Sequence, residues 1–423
     1  MAGRLSRLRS YTRTKFRFDL IAGITVALVA LPLALGFGET SGAGPASGLV
    51  TAIVAGVIAG VLGGSRYQIS GPTGAMTVVL VPLIAQFGVS ALVPIGVIAG
   101  AAIVLMGILR AGNLLEKIPW SVMEGFTLGI AIIIALQQIP LVFDVPRGEG
   151  GETLNNAWSS LTYTVSHPLH GVSIAIAVLT VALKMAWPHL MRWLRVSIQI
   201  PASAAALVLV SALVVGLGLN VRTIGEIPSS ELFQVATTWP TIPLPSLLWA
   251  ALIVAFLGAL ESLLSARVGD SMVHRRDHEL PVPFNPHREL IGQGIATGAA
   301  SLMGGMPATG AIARTSVNIR AGARTRVAAV THSAALLVFV LALSSVVSVI
   351  PIAVLGGILL GTSWRIANPR SIMESLRTTW PERAGFVVTA LAVVALDLVW
   401  GIVIGAVVHA LLTRLLPGHS THA

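Results

Sequence analysis

The chain has 423 residues, of which 55% are hydrophobic and 10% charged, with a mean hydropathy of +0.86. Soluble globular proteins carry about 25% charged residues, so this is a polytopic membrane protein, and its long apolar runs make it all-α rather than a β-barrel. It has no cysteine, which excludes disulfides, thiolate metal sites and cysteine nucleophiles; its net charge of +10 sits at the ends of apolar runs, the pattern of a cytoplasmic membrane face rather than of nucleic-acid binding.

Residues 1–17 hold six basic residues, from Arg4 to Arg17, and no acid. The apolar run that follows is too long for a signal peptide, so the N-terminus is expected in the cytoplasm. Apolar runs then predict spans at roughly 20–38, 46–63, 72–88, 91–110, 119–138, 168–187 and 198–219. The second half gives roughly 245–265, 289–304, 309–320, 326–346, 348–363, 384–397 and 399–415. Fourteen spans with an inside start fix the side of every loop. All 27 Lys and Arg residues then fall on the cytoplasmic side except Arg147, Arg222 and the intramembrane Arg314. Lys184 is counted there with Arg192 and Arg195, in a cytoplasmic loop. The expected location is the bacterial inner membrane, with both termini cytoplasmic, including the tail 416–423.

Two stretches interrupt the apolar pattern. Met306–Gly322 (MPATGAIARTSVNIRAG) is too polar and short for an ordinary span, and Ser70–Ala75 (SGPTGA) echoes it. Thr73-Gly74-Ala75 recurs as Thr309-Gly310-Ala311, each time shortly after a proline. They fall in the third and tenth spans, the equivalent positions of two seven-span halves. An odd number of spans per half inserts the second half upside down. The expected fold is therefore two inverted seven-helix repeats, with short half-helices in spans 3 and 10 whose N-termini meet near mid-membrane.

Such helix ends present unpaired N–H groups and about half a positive charge, suited to an anion. Gly74, Ala75, Gly310 and Ala311 are small enough to let a ligand reach the backbone, and Arg314 adds a full charge; its alternative is a snorkelling arginine near a span end. Glu261 and Glu39 are acids within apolar segments, where a carboxylate serves as a proton or cation partner. Ser265, four residues after Glu261, shares its helix face. The alternatives are a structural pair of Glu261 with Arg267, and an exposed loop acid at Glu39. The outer loops 139–167 and 220–244 carry no assigned chemistry. His274, His278 and His287 have metal-compatible spacing but read as a solvated loop. No cofactor is expected.

PLALGFGETSGAGPASGL, SRYQISGPTGA and TGAIARTSVNIRAGART resemble the first-, third- and tenth-span motifs of the SulP (sulfate permease) family of anion transporters. The resemblance extends over residues 1–415 and implies the 7+7 fold of the nucleobase transporters (UraA-like). It implies a core domain (18–110 and 244–346) moving against a gate domain (111–243 and 347–415). By position, Phe37 would line the pocket, while Thr73, Gly74, Ala75, Gly310, Ala311, Ile312 and Ala313 would present the backbone and Arg314 would flank the anion. Glu261 and Ser265 fall where the family carries an eighth-span carboxylate and hydroxyl.

Three departures qualify the match. The sequence ends at Ala423, short of the family's usual STAS domain; Ala30 and Leu33 replace first-span glutamines; and Ala311-Ile312-Ala313 offers no tenth-span hydroxyl, which favours protons over sodium. The resulting expectation is a proton-coupled symporter of a small anion, a dicarboxylate such as fumarate. Its partners would be that anion, protons, membrane lipids and a second copy in a homodimer. A sulfate or bicarbonate transporter, a nucleobase symporter and an uncoupled anion channel are the alternatives; no enzyme constellation is present.

Overall fold

A computed structural model describes residues 13–115, 118–144, 170–195, 200–227, 232–235, 239–277, 283–396 and 398–415. The basic start of the chain, most of the first outer loop, His278 and the C-terminal tail lie outside the described residues.

Fourteen helices of nine or more residues run through the described residues. In the first half these are α1 (Arg13–Ser41), α2 (Pro45–Leu62), α3 (Gly74–Phe87), α4 (Leu92–Ile108), α5 (Trp120–Gln137), α6 (Gly171–Trp193) and α7 (Ala202–Gly216). The second half gives α8 (Leu244–Asp277), α9 (Pro286–Leu302), α10 (Ile312–Arg320), α11 (Val327–Ala342), α12 (Ile352–Ala367), α13 (Trp380–Ala395) and α14 (Leu398–Leu415). Seven of the helical stretches are long and apolar enough to cross a membrane unaided, while α3, α7 and α11 are shorter apolar helices. The all-helical membrane fold expected from the sequence is the fold observed.

Packing sorts the helices into two sets. In the first, α9 lies along α4 and α2, α11 along α1, and α8 along α4 and α10. In the second, α13 lies along α14 and α5, and α6 along α12 and α7. The first set is drawn together by missing side chains. Gly96 and Gly100 on α4 face Ser301 and Gly294 on α9; a Cβ at Gly100 would lie 2.5 Å from the Gly294 carbonyl oxygen, and one at Gly294 2.5 Å from that of Gly100. Both helices thus use small residues at i, i+4, the spacing that lets membrane helices approach closely. Gly48 does the same for α1 and α2, where a Cβ would sit 2.0 Å from the Ala34 carbonyl oxygen.

Buried acids then pin the loops. Asp19, fully buried on α1, accepts from Arg324 N, Thr325 N and Thr325 Oγ1 at 2.6–2.9 Å, ordering the entry to α11. Glu289 on α9 accepts from Gly64 N and Ser65 N, both at 2.7 Å, and so holds the turn after α2.

Two local expectations are corrected. Lys184 is not in a cytoplasmic loop: α6 continues through it to Trp193, and its side chain is 4% exposed. The chain also does not leave the helix before Glu39, since α1 runs on to Ser41 and breaks only at Gly42 and Gly44, which adopt φ of +86° and +89°.

Candidate functional site

The segments before α3 and α10 are extended, and extended backbone inside a membrane must find hydrogen bonds. These two find each other. Ser70–Gly71 (β1) pairs antiparallel with Thr309–Gly310 (β2), in the register Ser70 to Gly310 and Gly71 to Thr309. Neighbouring amides are matched as well: Ala311 N donates to Ile69 O at 2.9 Å, Gly310 N to Ser262 Oγ at 3.0 Å and Ile69 N to Thr315 Oγ1 at 3.1 Å. The two-stranded crossing brings the N-termini of α3 and α10 together. The first-turn amides of Gly74, Ala75, Ile312 and Ala313 lack intrahelical acceptors, while that of Met76 is capped by Thr73 Oγ1 at 3.4 Å. Gly310 is closely enclosed: a Cβ there would lie 1.9 Å from Gln68 Nε2 and 3.1 Å from Ser262 Cα, so the buried Gln68 side chain would have to move.

Glu261 of α8 ties the crossing. Its Oε2 accepts from Thr73 Oγ1 at 2.8 Å and from Thr309 Oγ1 at 2.7 Å, and the two hydroxyls lie 3.0 Å apart. One carboxylate thus grips the same threonine of both repeated Thr-Gly-Ala motifs. Thr309 was missing from the residues expected at the site, although its equivalence to Thr73 in the echo pointed to it.

A cavity of about 1110 Å³ opens beside the crossing. Phe37, Thr73, Gly74, Ala75, Ala311, Ile312, Ala313, Arg314 and Glu261 line it, while Gly310, Glu39 and Ser265 do not. Gly310 is committed to the strand pair. Glu39 is half-buried in the last turns of α1, and Ser265 is fully buried with its Oγ 3.2 Å from Thr315 Oγ1.

Arg314 is 1% exposed, its Nη2 donates to Pro72 O, and Nη1 has no hydrogen-bond partner. A Cβ at Gly71 would lie 2.4 Å from that Nη1, so glycine makes the room the guanidinium occupies. The charge therefore sits immediately behind the helix crossing, close enough to act on Glu261.

From the crossing the cavity extends between the two helix sets to Arg192, Arg195, Arg320 and Arg365, four exposed arginines that the sequence assigns to the cytoplasmic side. At the opposite end the sets are closed on each other. Thr40 Oγ1 donates to Gln138 Oε1 at 3.0 Å with both residues buried, and Gly36 and Gly74 pack against Leu359 and Ile134.

Comparison with known proteins follows the same lines. The model of the Sulfate permease family matches residues 16–392. YvdB of Bacillus subtilis, named for sulfate transport, is 34% identical over 94% of this chain and 74% of its own length. The bicarbonate transporter BicA of Picosynechococcus is 32% identical over 81% of this chain, which spans 60% of that protein's length. Among solved structures, the transmembrane domain of a cyanobacterial BicA superposes with a TM-score of 0.79 at 27% identity, covering 95% of this chain and 98% of that domain. Murine Slc26a9, an anion transporter, shares the fold with a TM-score of 0.81 at 16% identity, covering 97% of this chain and 70% of that one.

Proposed function

The chain belongs to the sulfate permease family of anion transporters, which is a family of transporters and not of enzymes, and from that premise we propose that it carries a small oxyanion, sulfate or bicarbonate, by alternating access. The observation that carries this reading is the crossing of two helix N-termini over a buried arginine at the wall of a cavity. Backbone amides of the first turns of α3 and α10 and the buried Arg314 charge together make an anion-selective surface at the crossing, away from the arginines at the cavity mouth. A nucleobase site has no need of that charge.

The dicarboxylate reading draws no support from the relatives, whose names carry sulfate and bicarbonate. In this proposal α1–α4 and α8–α11 move as a core against α5–α7 and α12–α14 as a gate, in the bacterial inner membrane with both termini cytoplasmic. The cavity described here is then the cytoplasm-facing state, and its four mouth arginines gather anions by long-range attraction. Glu261 takes the coupling proton: it reaches both half-helices, so a change in its charge is felt by the whole site.

The test is uptake of radiolabelled sulfate, bicarbonate and fumarate into proteoliposomes under an inward proton gradient, a sodium gradient or neither. The expected result is concentrative uptake of sulfate or bicarbonate under the proton gradient alone, lost in Glu261→Gln. Uptake that merely equilibrates under every condition would refute coupling, and uptake of fumarate alone would refute the choice of anion.

A further inference from the structure

Arg314 has a counterpart on the other wall of the cavity. Lys184 lies on α6, 4% exposed, and its Nζ donates to Ile358 O and Thr362 Oγ1 of α12, both at 2.5 Å. Thr362 and Trp187, the residues on either side of it, line the cavity that Arg314 lines. Gly361 makes room for the lysine stem: a Cβ there would lie 3.0 Å from Lys184 Cδ and 3.6 Å from Nζ.

No described carboxylate pairs with this ammonium. The charged group that acts on it is Arg365, of like sign, which in turn feels Arg320. Burying a cation without a counter-charge is expensive, and proteins ordinarily pair such groups. A lysine amine with only a carbonyl and a hydroxyl for partners, set one residue deep behind a cavity wall, carries its proton at least cost when an anion enters the cavity to balance it.

We propose that Lys184 is a specificity-determining residue that supplies the gate-side share of the anion's counter-charge, opposite Arg314, and so favours anions of higher charge. The inference rests on the reading of the cavity as an oxyanion site. The anion would lie between Arg314 in one wall and Lys184 behind the other, so the lysine does not clamp it by direct contact and acts through space. Such placement gives attraction in the loaded state while leaving no strong hydrogen bond to break on release. It also gives α6 and α12 a share in binding that the helix crossing alone does not.

The test is proteoliposome uptake of sulfate and bicarbonate by the wild type, Lys184→Met, Lys184→Gln and Lys184→Arg. Lys184→Gln keeps a donor for Ile358 and Thr362 while removing the charge, so the test stands even if the methionine variant fails to fold. A unit charge on the order of 10 Å from the anion at an effective dielectric near 20 is worth roughly tenfold in affinity per anion charge. The expected half-saturating concentration in the neutral variants therefore rises about tenfold for bicarbonate and about a hundredfold for sulfate. The maximal rate changes less, and Lys184→Arg stays near wild type. Where one of the two anions is not itself carried, its inhibition constant against the other supplies the comparison. Equal losses for both anions, an arginine variant as impaired as the neutral ones, or a fall in maximal rate at unchanged half-saturation would overturn the proposal. A wild type that neither carries nor is inhibited by either anion would instead defeat the oxyanion reading on which it stands.

Discussion

Replacing Glu261 tests whether one carboxylate holds the two half-helices in register. It accepts two hydroxyl bonds, at 2.7 and 2.8 Å, from Thr309 and Thr73. A hydrogen bond to a charged group contributes about 1.5–3 kcal/mol. In Glu261→Ala both are lost, but the hydroxyls are already 3.0 Å apart and can still bond to each other. That residual bond offsets part of the loss, leaving about 2–4 kcal/mol. If the crossing is what binds the anion, this appears as weaker half-saturation in uptake, on the order of a hundredfold at 1.4 kcal/mol per tenfold. Glu261→Gln keeps an acceptor and loses only the charge assistance, so roughly tenfold is expected. The network itself is read by a cycle: Thr309→Val weakens half-saturation in the wild-type background and much less in Glu261→Ala, a coupling of about 1–2 kcal/mol. Half-saturation within twofold of wild type in Glu261→Ala, or strictly additive losses, would show that the carboxylate does not set the site's geometry.

Arg314→Lys is expected to fail nearly as badly as Arg314→Ala, because a lysine ammonium ends about where the guanidinium carbon sits, short of the Nη2 that bonds Pro72 O; both should lose on the order of a hundredfold in anion half-saturation, measured by uptake. Gly294→Val places a side chain where even a Cβ lies 2.5 Å from the Gly100 carbonyl oxygen, so α4 and α9 must separate; the expected cost exceeds about 3 kcal/mol, seen as loss of monodisperse protein on size exclusion. Glu124→Ala removes the acceptor shared by Ser371 and Ser375 on the short helix Pro369–Leu376, and faster amide exchange confined to 369–376 is the expected reading. Since the chain has no native cysteine, Ser316→Cys gives a single thiol on the cavity wall; it should react with a membrane-impermeant reagent from the side bearing Arg320 and be protected by saturating anion.

What could be read from the sequence was what repeats or alternates. Apolar runs located the helices. The Thr-Gly-Ala echo found both halves of the crossing, because identical residues were needed where two inverted segments meet. The strand pair was not legible: Ser70–Gly71 and Thr309–Gly310 are two residues each, too short for any alternation, and their pairing depends on partners more than 230 residues away. Lys184 was misplaced because a lone lysine near the end of an apolar run normally reaches for the interface. Its real destination is a carbonyl and a hydroxyl on α12, far along the chain. The Gly96/Gly100 and Gly294/Gly298 spacings, by contrast, were in plain view as paired small-residue motifs and would have predicted the contact of α4 with α9.

The distribution of polar contacts bears on how such a molecule could move. Glu261 to Thr73, Ser70 to Gln293, Glu289 to Ser65 and Asp19 to Thr325 all join α1–α4 with α8–α11 or with each other's connecting loops. Lys184 to Thr362 and Glu124 to Ser375 join α5–α7 with α12–α14 and the short helix before α13. Between the two sets the seam is aliphatic and small, with Gly36 against Leu359 and Gly74 against Ile134, and Thr40 to Gln138 crosses it as a neutral bond worth about 1 kcal/mol. Apolar surfaces slide with little loss because their attraction is not directional, whereas breaking a charge-assisted network costs several times more. Under the proposed core-and-gate motion, the sets would therefore move past each other before either comes apart. Thr40→Val should ease the closed end open, and cysteines at positions lining that end should then become more reactive from the outer side. Unchanged reactivity in Thr40→Val would mean that aliphatic packing alone, and not this bond, sets the balance between the two states.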